Sequence, residues 1–424
     1  MRRKTWRPWV VAITLTVGGL TAPAAQAGEM DILLDKLVQK GILTTTDAAQ
    51  IRQEVVAEKK DQDATATASK EIAAAPASNW KWSGDLRLRE EYRNRTGSGQ
   101  DINRQRIRFR YGFETKINDQ LKAGARLATG STTDPISTNQ TLNTSFNKVN
   151  CLLDRAYVEY SPSLPLFNEA KLTGGIIANP FWTVGQLVWD DDLNFDGAAV
   201  HLATAAGPVT LFTNDGVFSL QTDVSEAAAL WSAQAGVIYK PFADAQAEAL
   251  QHLKVTGALA YHDYKNVTRT DGKNTALATA GGSKGNNASL KDVNLFNPTI
   301  EVASQYAEVP FSLFGDWVHN AGASVSNNGF QIGLRINKAV TPWDLKKGWE
   351  GGYYFERLDP DATLGAFTDS DFSNGGTNHR GNIYWVKLAV LKNSTLGVKY
   401  FNARQVHGAK TKADTLQMDW ITSF

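Results

Sequence analysis

From Trp82 to the last residue, apolar and polar side chains alternate in strand-length stretches, each closed by Gly, Asn, Asp or Pro. A period of two belongs to extended backbone, where successive side chains point to opposite faces. Such stretches occupy 82–95, 103–117, 120–129, 152–161, 170–179, 193–204, 207–215, 230–240, 252–264, 294–306, 309–319, 328–339, 348–359, 380–391, 394–405 and 414–424. The last sets Leu416, Met418, Trp420 and Phe424 against Gln417, Asp419 and Ser423. The pattern predicts an all-β chain closed into a transmembrane antiparallel β-barrel. Its count is about sixteen strands, within a range of fourteen to eighteen, and bacterial single-chain barrels need an even number.

Alternation alone leaves the barrel open to an inside-out reading. Stretch 103–117 opposes Ile107, Phe109, Tyr111 and Phe113 to Arg106, Arg108, Arg110 and Glu114. Stretch 328–339 opposes Phe330, Ile332, Leu334 and Ile336 to Gln331, Arg335 and Asn337. A soluble sandwich would bury the apolar face, whereas a membrane barrel would turn it to lipid. Loop lengths favour the barrel. Connections after even-numbered stretches are mostly short (118–119, 205–206, 308, 392–393), and several after odd ones are long (130–151, 180–192, 265–293, 360–379). Short periplasmic turns and long external loops produce that asymmetry; 162–169 and 241–251 depart from it.

The amino-terminus agrees. Arg2, Arg3, Lys4 and Arg7 precede an apolar run from Trp9 to about Leu20, and Ala25-Gln26-Ala27 offers a small-residue cleavage site. This is a secretory signal over 1–27. Together with the aromatic Phe424 it predicts export to a bacterial outer membrane. No other stretch approaches the ~18 apolar residues of a membrane helix. The mean hydropathy of −0.31 fits a barrel, in which every second residue faces water. Cys151 is the sole cysteine, so no internal disulfide forms. The net charge of +1 argues against a nucleic-acid partner. The twelve Trp and twelve Tyr suit membrane–water interfaces.

Residues 28–60 read as a short periplasmic helical segment. Ile32, Leu33, Leu37 and Val38 recur at helical spacing before Gly41, and Thr46 can cap a second helix through Ile51, Val55 and Val56. Such short helices must self-associate or pack on the barrel. Residues 61–79 form an Ala/Thr/Ser-rich linker, and 80–424 form the barrel.

Chemistry concentrates on one wall. A strand tilted ~45° climbs roughly 2.3 Å per residue along the membrane normal. With the first strand entering near residue 82, Arg87 and Arg89 stand about 12–16 Å above the periplasmic rim. Arg106, Arg108 and Arg110 on the second strand, Arg126 on the third and Arg155 on the fourth share the lumen-facing parity and lie near that level. Asp85, Glu114 and Glu159 lie lower, Glu91 lies beside the cluster, and the opposite wall is mixed in charge, with Lys254, Glu301, Asp316, Arg335, Glu350, Glu356, Lys387, Lys399 and Asp419. Clustered guanidinium groups raise local anion concentration and replace part of an ion's hydration shell. The plainer alternative is an ion-pair network that solvates a plugged or narrow lumen.

Loop 180–192 is apolar and aromatic for an external loop and ends in Asp190, Asp191 and Asp192. Folded inward, it would turn those acids toward the arginines and set a transverse field at the narrow point. The alternatives are an ordinary external loop or a divalent-cation site at the Asp triplet. No nucleophile elbow, zinc-protease helix motif, phosphate loop or Cys/His cluster occurs. His201, His252, His262, His319, His379 and His407 are scattered, so neither an enzyme, a cofactor nor a resident metal is expected.

The chain resembles the "putative porin" family of Gram-negative outer-membrane proteins. The points of match are the signal, the helical opening from Met30 to Thr44, Trp82-Ser-Gly-Asp-Leu-Arg-Leu-Arg89, Arg104-Gln-Arg-Ile-Arg-Phe-Arg-Tyr-Gly112 and terminal Phe424. The resemblance implies a passive, weakly selective channel for small hydrophilic solutes and a homotrimer. It also implies outer-membrane lipid and lipopolysaccharide around the barrel, and Phe424 as the signal for the barrel-assembly machinery. The helical opening looks like the periplasmic coiled segment of some porins. A non-conducting barrel acting as adhesin or envelope tether remains the competing reading.

Overall fold

A computed structural model describes residues 36–40, 44, 46, 79–96, 101–143, 145–221, 227–267, 285–287, 290, 292–409 and 411–424. The chain separates into two units, Met1–Ala77 and Ser78–Phe424. In the first, residues 36–39 are helical and the Lys40 N–H donates to the Lys36 carbonyl at 3.0 Å. The signal sequence, the second helix beyond Thr46 and the linker up to Ser78 lie outside the described residues.

The second unit is one closed antiparallel sheet. Its strands are β1 (Trp80–Thr96), β2 (Ile102–Lys116), β3 (Leu121–Thr129), β4 (Gln140–Thr141), β5 (Cys151–Tyr160), β6 (Glu169–Ala178), β7 (Asn194–Ala206), β8 (Val209–Gln221) and β9 (Ala228–Tyr239). They continue as β10 (Lys254–Lys265), β11 (Val293–Tyr306), β12 (Val309–Asn320), β13 (Asn328–Asn337), β14 (Trp349–Leu358), β15 (His379–Leu391), β16 (Ser394–Gln405) and β17 (Lys412–Ser423). β4 is a two-residue piece on the upper edge of β2, so sixteen strands span the wall. Each expected stretch meets one of these sixteen. The largest difference is β8, which continues six residues past Asp215 because Gly216 to Gln221 stay paired with β9 across a bulge. Connection 240–253 is long because it carries a one-turn helix, Glu248–Gln251.

Closure falls at the chain end. β17 pairs with β1 from Asp85↔Ser423 to Thr96↔Lys412. Phe424 completes the seam: its N–H donates to the Gly84 carbonyl at 3.0 Å, and its carbonyl accepts from the Gly84 N–H at 2.8 Å. Its ring lies beside Phe109 and Tyr111, at 6.4 and 6.1 Å between centroids. A sheet closed in this way leaves no unpaired edge, the condition for strands in hydrocarbon.

Burial settles which face is outside. Leu313, Ile300, Ile332 and Trp420 are exposed, whereas Arg87, Arg89, Glu91, Asp316, Gln331 and Glu356 are buried inside. Apolar side chains clothe the exterior and charged ones fill the interior, as a lipid-embedded barrel requires. The chain is a closed β-barrel with the facing of a membrane-embedded wall.

Candidate functional site: a strap across the charged lumen

The interior is built around the β6–β7 connection, which leaves the wall after Ala178 and crosses the lumen before rejoining it at Asn194. Its first hold is on β9, where the Trp182 N–H donates to Gln234 Oε1 at 2.8 Å and Gln234 Nε2 donates to the Trp182 carbonyl at 2.9 Å. The second is on β13, where Arg335 donates to the Val184 carbonyl. The crossing is close at Gly185, where a Cβ would displace the Gln331 amide. The third hold is on β2. Asp192 lies 3.4 Å from Arg110 Nη1 and 3.9 Å from Arg108 Nη1, and accepts from Thr138 N and Oγ1 at 3.1 and 2.8 Å. This segment is therefore a strap rather than an ordinary external loop.

The strap stays inward because its apolar side chains find a wall. Phe181, Leu187, Val188 and Trp189 are buried among Phe195, Phe218, Leu230, Tyr264, Leu295 and Val318. Phe181 and Trp189 both meet the buried His262 ring edge-on, at 5.1 and 5.2 Å. An aromatic side chain buries roughly 150–250 Å², so two of them anchor a loop against its tendency to fray into water.

A second inward segment, residues 359–378 between β14 and β15, packs on the first. Leu364, Ala366 and Phe367 join the same apolar cluster. The Asp190 N–H donates to the Phe367 carbonyl at 2.8 Å, while the Asp190 carboxylate accepts from Ser370 N at 2.7 Å and Asp192 N at 2.8 Å. A third, residues 130–139, brings Ile136 into the apolar cluster and Asn139 to Arg87.

These segments lie directly on the arginine wall. The register sets Arg87 opposite Arg108 and Arg89 opposite Arg106, with Arg126 opposite Arg155 between β3 and β5. Like charges side by side need counter-charges, and the structure supplies them. Asp85 takes Arg108 at 2.8 Å and Arg110 at 2.7 Å. Glu91 takes Arg104 at 2.6 Å, Arg93 at 3.3 Å and Arg106 at 3.7 Å. Arg89 holds Asp419 at 2.7 Å and Asp371 at 2.9 Å, and Arg126 pairs with Asp154. Arg87 and Arg155 differ, for their described polar partners are the amides Asn139 and Asn194. Arg87 and Arg89 are buried, while Arg106, Arg110, Arg126 and Arg155 stay half-buried.

The Asp triplet diverges: Asp190 joins the two inward segments, Asp192 reaches the arginines, and Asp191 is exposed to the lumen. No group of three or more metal-binding side chains occurs among the described residues. Burial, reinforced by Asp369 and Asp192, pushes the Asp190 carboxyl well above the usual carboxylate range. Burial also pushes Asp369 up to about 6. Burial acts on Asp192 and Asp371 too, but Arg108 for the first and Arg89 for the second hold them below that range.

Parity places the arginines on this wall, whereas no local pattern marks Asp154, Asp369, Asp371 or Asn139 as members of the network. Segment 360–379 stands out by length as a long connection. A signal was present in Leu364, Phe367 and Phe372, apolar residues that an external loop has no reason to carry.

The strap leaves two cavities in the lumen. One of about 620 Å³ lies on the β2–β9 side, beside Arg155, Tyr157, Trp182 and His201. The other, of about 330 Å³, lies on the β13–β17 side, beside Asp191, Trp385 and Lys399.

The fold is similar to the high-pH structure of Pseudomonas putida OprB, with a TM-score of 0.53 at 11% identity over 82% of this chain and 94% of that one. A Salmonella typhi OmpF structure in complex with daunomycin gives 0.49 at 10% identity, over 81% and 97%. No curated protein sequence matches the chain. The family model described as "putative porin" matches residues 89–295 and 301–424, so the chain belongs to that porin family.

Proposed function

We propose that the barrel is a passive, water-filled channel for small hydrophilic solutes and ions, driven by their concentration gradients alone. The observation that carries this reading is the strap, which spans the lumen at a few fixed holds and leaves open space on either side with charged side chains in its lining. Arg87, Arg89, Arg106, Arg108, Arg110, Arg126 and Arg155, with Asp190, Asp191 and Asp192, form its constriction. Arg87 and Arg155, which pair with no described carboxylate, supply an excess of positive potential and hence a mild anion preference. The protein acts as a channel and not as an enzyme.

The proposal extends to the surroundings. Three copies assemble in the outer membrane among lipid and lipopolysaccharide, the barrel-assembly machinery reads Phe424, and the amino-terminal segment faces the periplasm. The resemblance of sequence and fold to porins supports these points.

One observation favours the competing reading of a non-conducting adhesin or tether. Much of the β7–β12 side is filled by an apolar cluster, and the arginines on the opposite side are largely neutralised. Planar-bilayer recording decides between them. Discrete conductance steps that scale with salt, with a reversal potential displaced toward anions in a salt gradient, are expected. Absence of steps at every salt concentration would leave the tether.

A further inference from the structure

The smaller cavity holds a charge pattern that its own ion pairs do not consume. Of the charged groups that line it, Lys387 is bonded to Glu350 at 2.9 Å and Asp419 is held by Arg89 at 2.7 Å. Arg335 reaches Glu301 at 3.3 Å and the Val184 carbonyl. Two groups remain. The Lys399 ammonium has no ion pair among the described residues and sits 4.6 Å from the centre of the Phe401 ring. The Asp191 N–H is bonded to Gln186 Oε1 at 3.0 Å, but its exposed carboxylate accepts no hydrogen bond from a described residue.

One cation and one anion that attract each other without closing an ion pair share a cavity of about 330 Å³, near the lower end of ligand pockets at about 300–1,000 Å³. A simple anion would meet Asp191, and a simple cation would meet Lys399. A small molecule with both charges satisfies the two together. Two aromatic rings form part of the remaining wall: the Trp385 ring meets Tyr354 edge-on at 5.9 Å, with its Nε1 donating to Glu350 at 3.3 Å. Gly352 leaves room for that indole, since a Cβ there would run into its ring.

We infer that this cavity is a subsite for an α-amino acid in its zwitterionic form. The ammonium pairs with Asp191, the carboxylate with Lys399, and the side chain rests on Trp385. The inference rests on the channel reading and names the solute class that one of its two paths selects.

Swelling of liposomes carrying the full-length protein tests it, with four solutes of one skeleton: leucine, leucinamide, N-acetylleucine and N-acetylleucinamide. Leucine should enter about two- to fivefold faster than the other three, the range of exposed ion pairs. Asp191→Asn should erase the advantage over N-acetylleucine and keep that over leucinamide, and Lys399→Gln should do the reverse. Exchanging the two charges, Asp191→Lys with Lys399→Asp, should restore the preference, a result that mere structural damage cannot give. If N-acetylleucinamide enters and the ratios ignore all these variants, the subsite is wrong and the channel stands. If no solute enters at all, both fall.

Discussion

The two sides of the lumen hold the same strap by opposite physics. On the β7–β12 side, Phe181, Leu187 and Trp189 sink into a hydrocarbon cluster with Phe195, Phe218 and Tyr264. On the β1–β5 side, the strap and its neighbour segment meet the wall through Asp192–Arg110 and Asp371–Arg89. Apolar burial does not depend on pH or salt in the working range, whereas ion pairs answer to both. The barrel thus has a fixed anchor on one side and an adjustable one on the other.

The apolar anchor should give the largest effect. Trp189→Ala removes a nearly inaccessible indole, and such truncations cost about 3–5 kcal/mol. The strap should then leave the wall, raising single-channel conductance and opening the segment to protease. Conductance unchanged from the parent would mean that the strap does not limit the path.

On the ionic side, Glu91→Gln should come next. It strips the counter-charge from Arg93, Arg104 and Arg106, and breaking a buried pair of this kind costs about 3 kcal/mol. Thermal unfolding in detergent should fall, more steeply at low salt than at high. Equal loss at all salt concentrations would deny the electrostatic account.

A pH effect separates the two anchors more sharply. Asp369 is raised to about 6 by burial, so its contribution is complete below the unfolded carboxylate pKa of about 4 and is lost as pH rises through about 6. Asp190 acts in the same direction. Asp192 and Asp371 are depressed, so their contribution exists above about 4 and is lost as pH falls through their lowered values. The junction of the two inward segments should be tightest at about pH 4 and should loosen as pH rises through about 6. Hydrogen-exchange protection, corrected for the intrinsic pH dependence of exchange, should fall at residues 367–372 as pH rises through about 6, while that of the 187–189 amides should hold. Asp369→Asn should remove the part of this loss centred at about pH 6.

The smallest effect concerns selectivity. Neutralising Arg87 and Arg155 should move the reversal potential toward cations by more than neutralising Arg108, Arg110 and Arg126, whose charges are already matched by Asp85, Asp192 and Asp154. A larger shift from the second set would show that the ion pairs open in the conducting state.

Strand number, strand positions and the sets of residues that share a face were legible in the chain because a period of two is a local property, repeated in every strand. Arg87, Arg89, Arg106 and Arg108 could be set on one wall by parity and counting, and the pairing of Arg87 with Arg108 follows from that register. What alternation could not supply was the sign of the fold, whether Ile332 or Gln331 faces outward. Burial of Gln331 and exposure of Ile332 decide it.

The destinations of the long connections belonged to tertiary structure alone. Asp371 meets Arg89 across 282 residues of sequence, and Asp190 meets Ser370 across 180. Such contacts depend on the closed wall bringing distant loops into one enclosed volume. Hydrophobic composition hinted that 180–192 would turn inward, yet only the shared cluster of Trp189, Phe367 and Tyr264 determined where it came to rest. Local period writes the wall; the packing of enclosed side chains, which no neighbour in sequence encodes, writes what lies inside it.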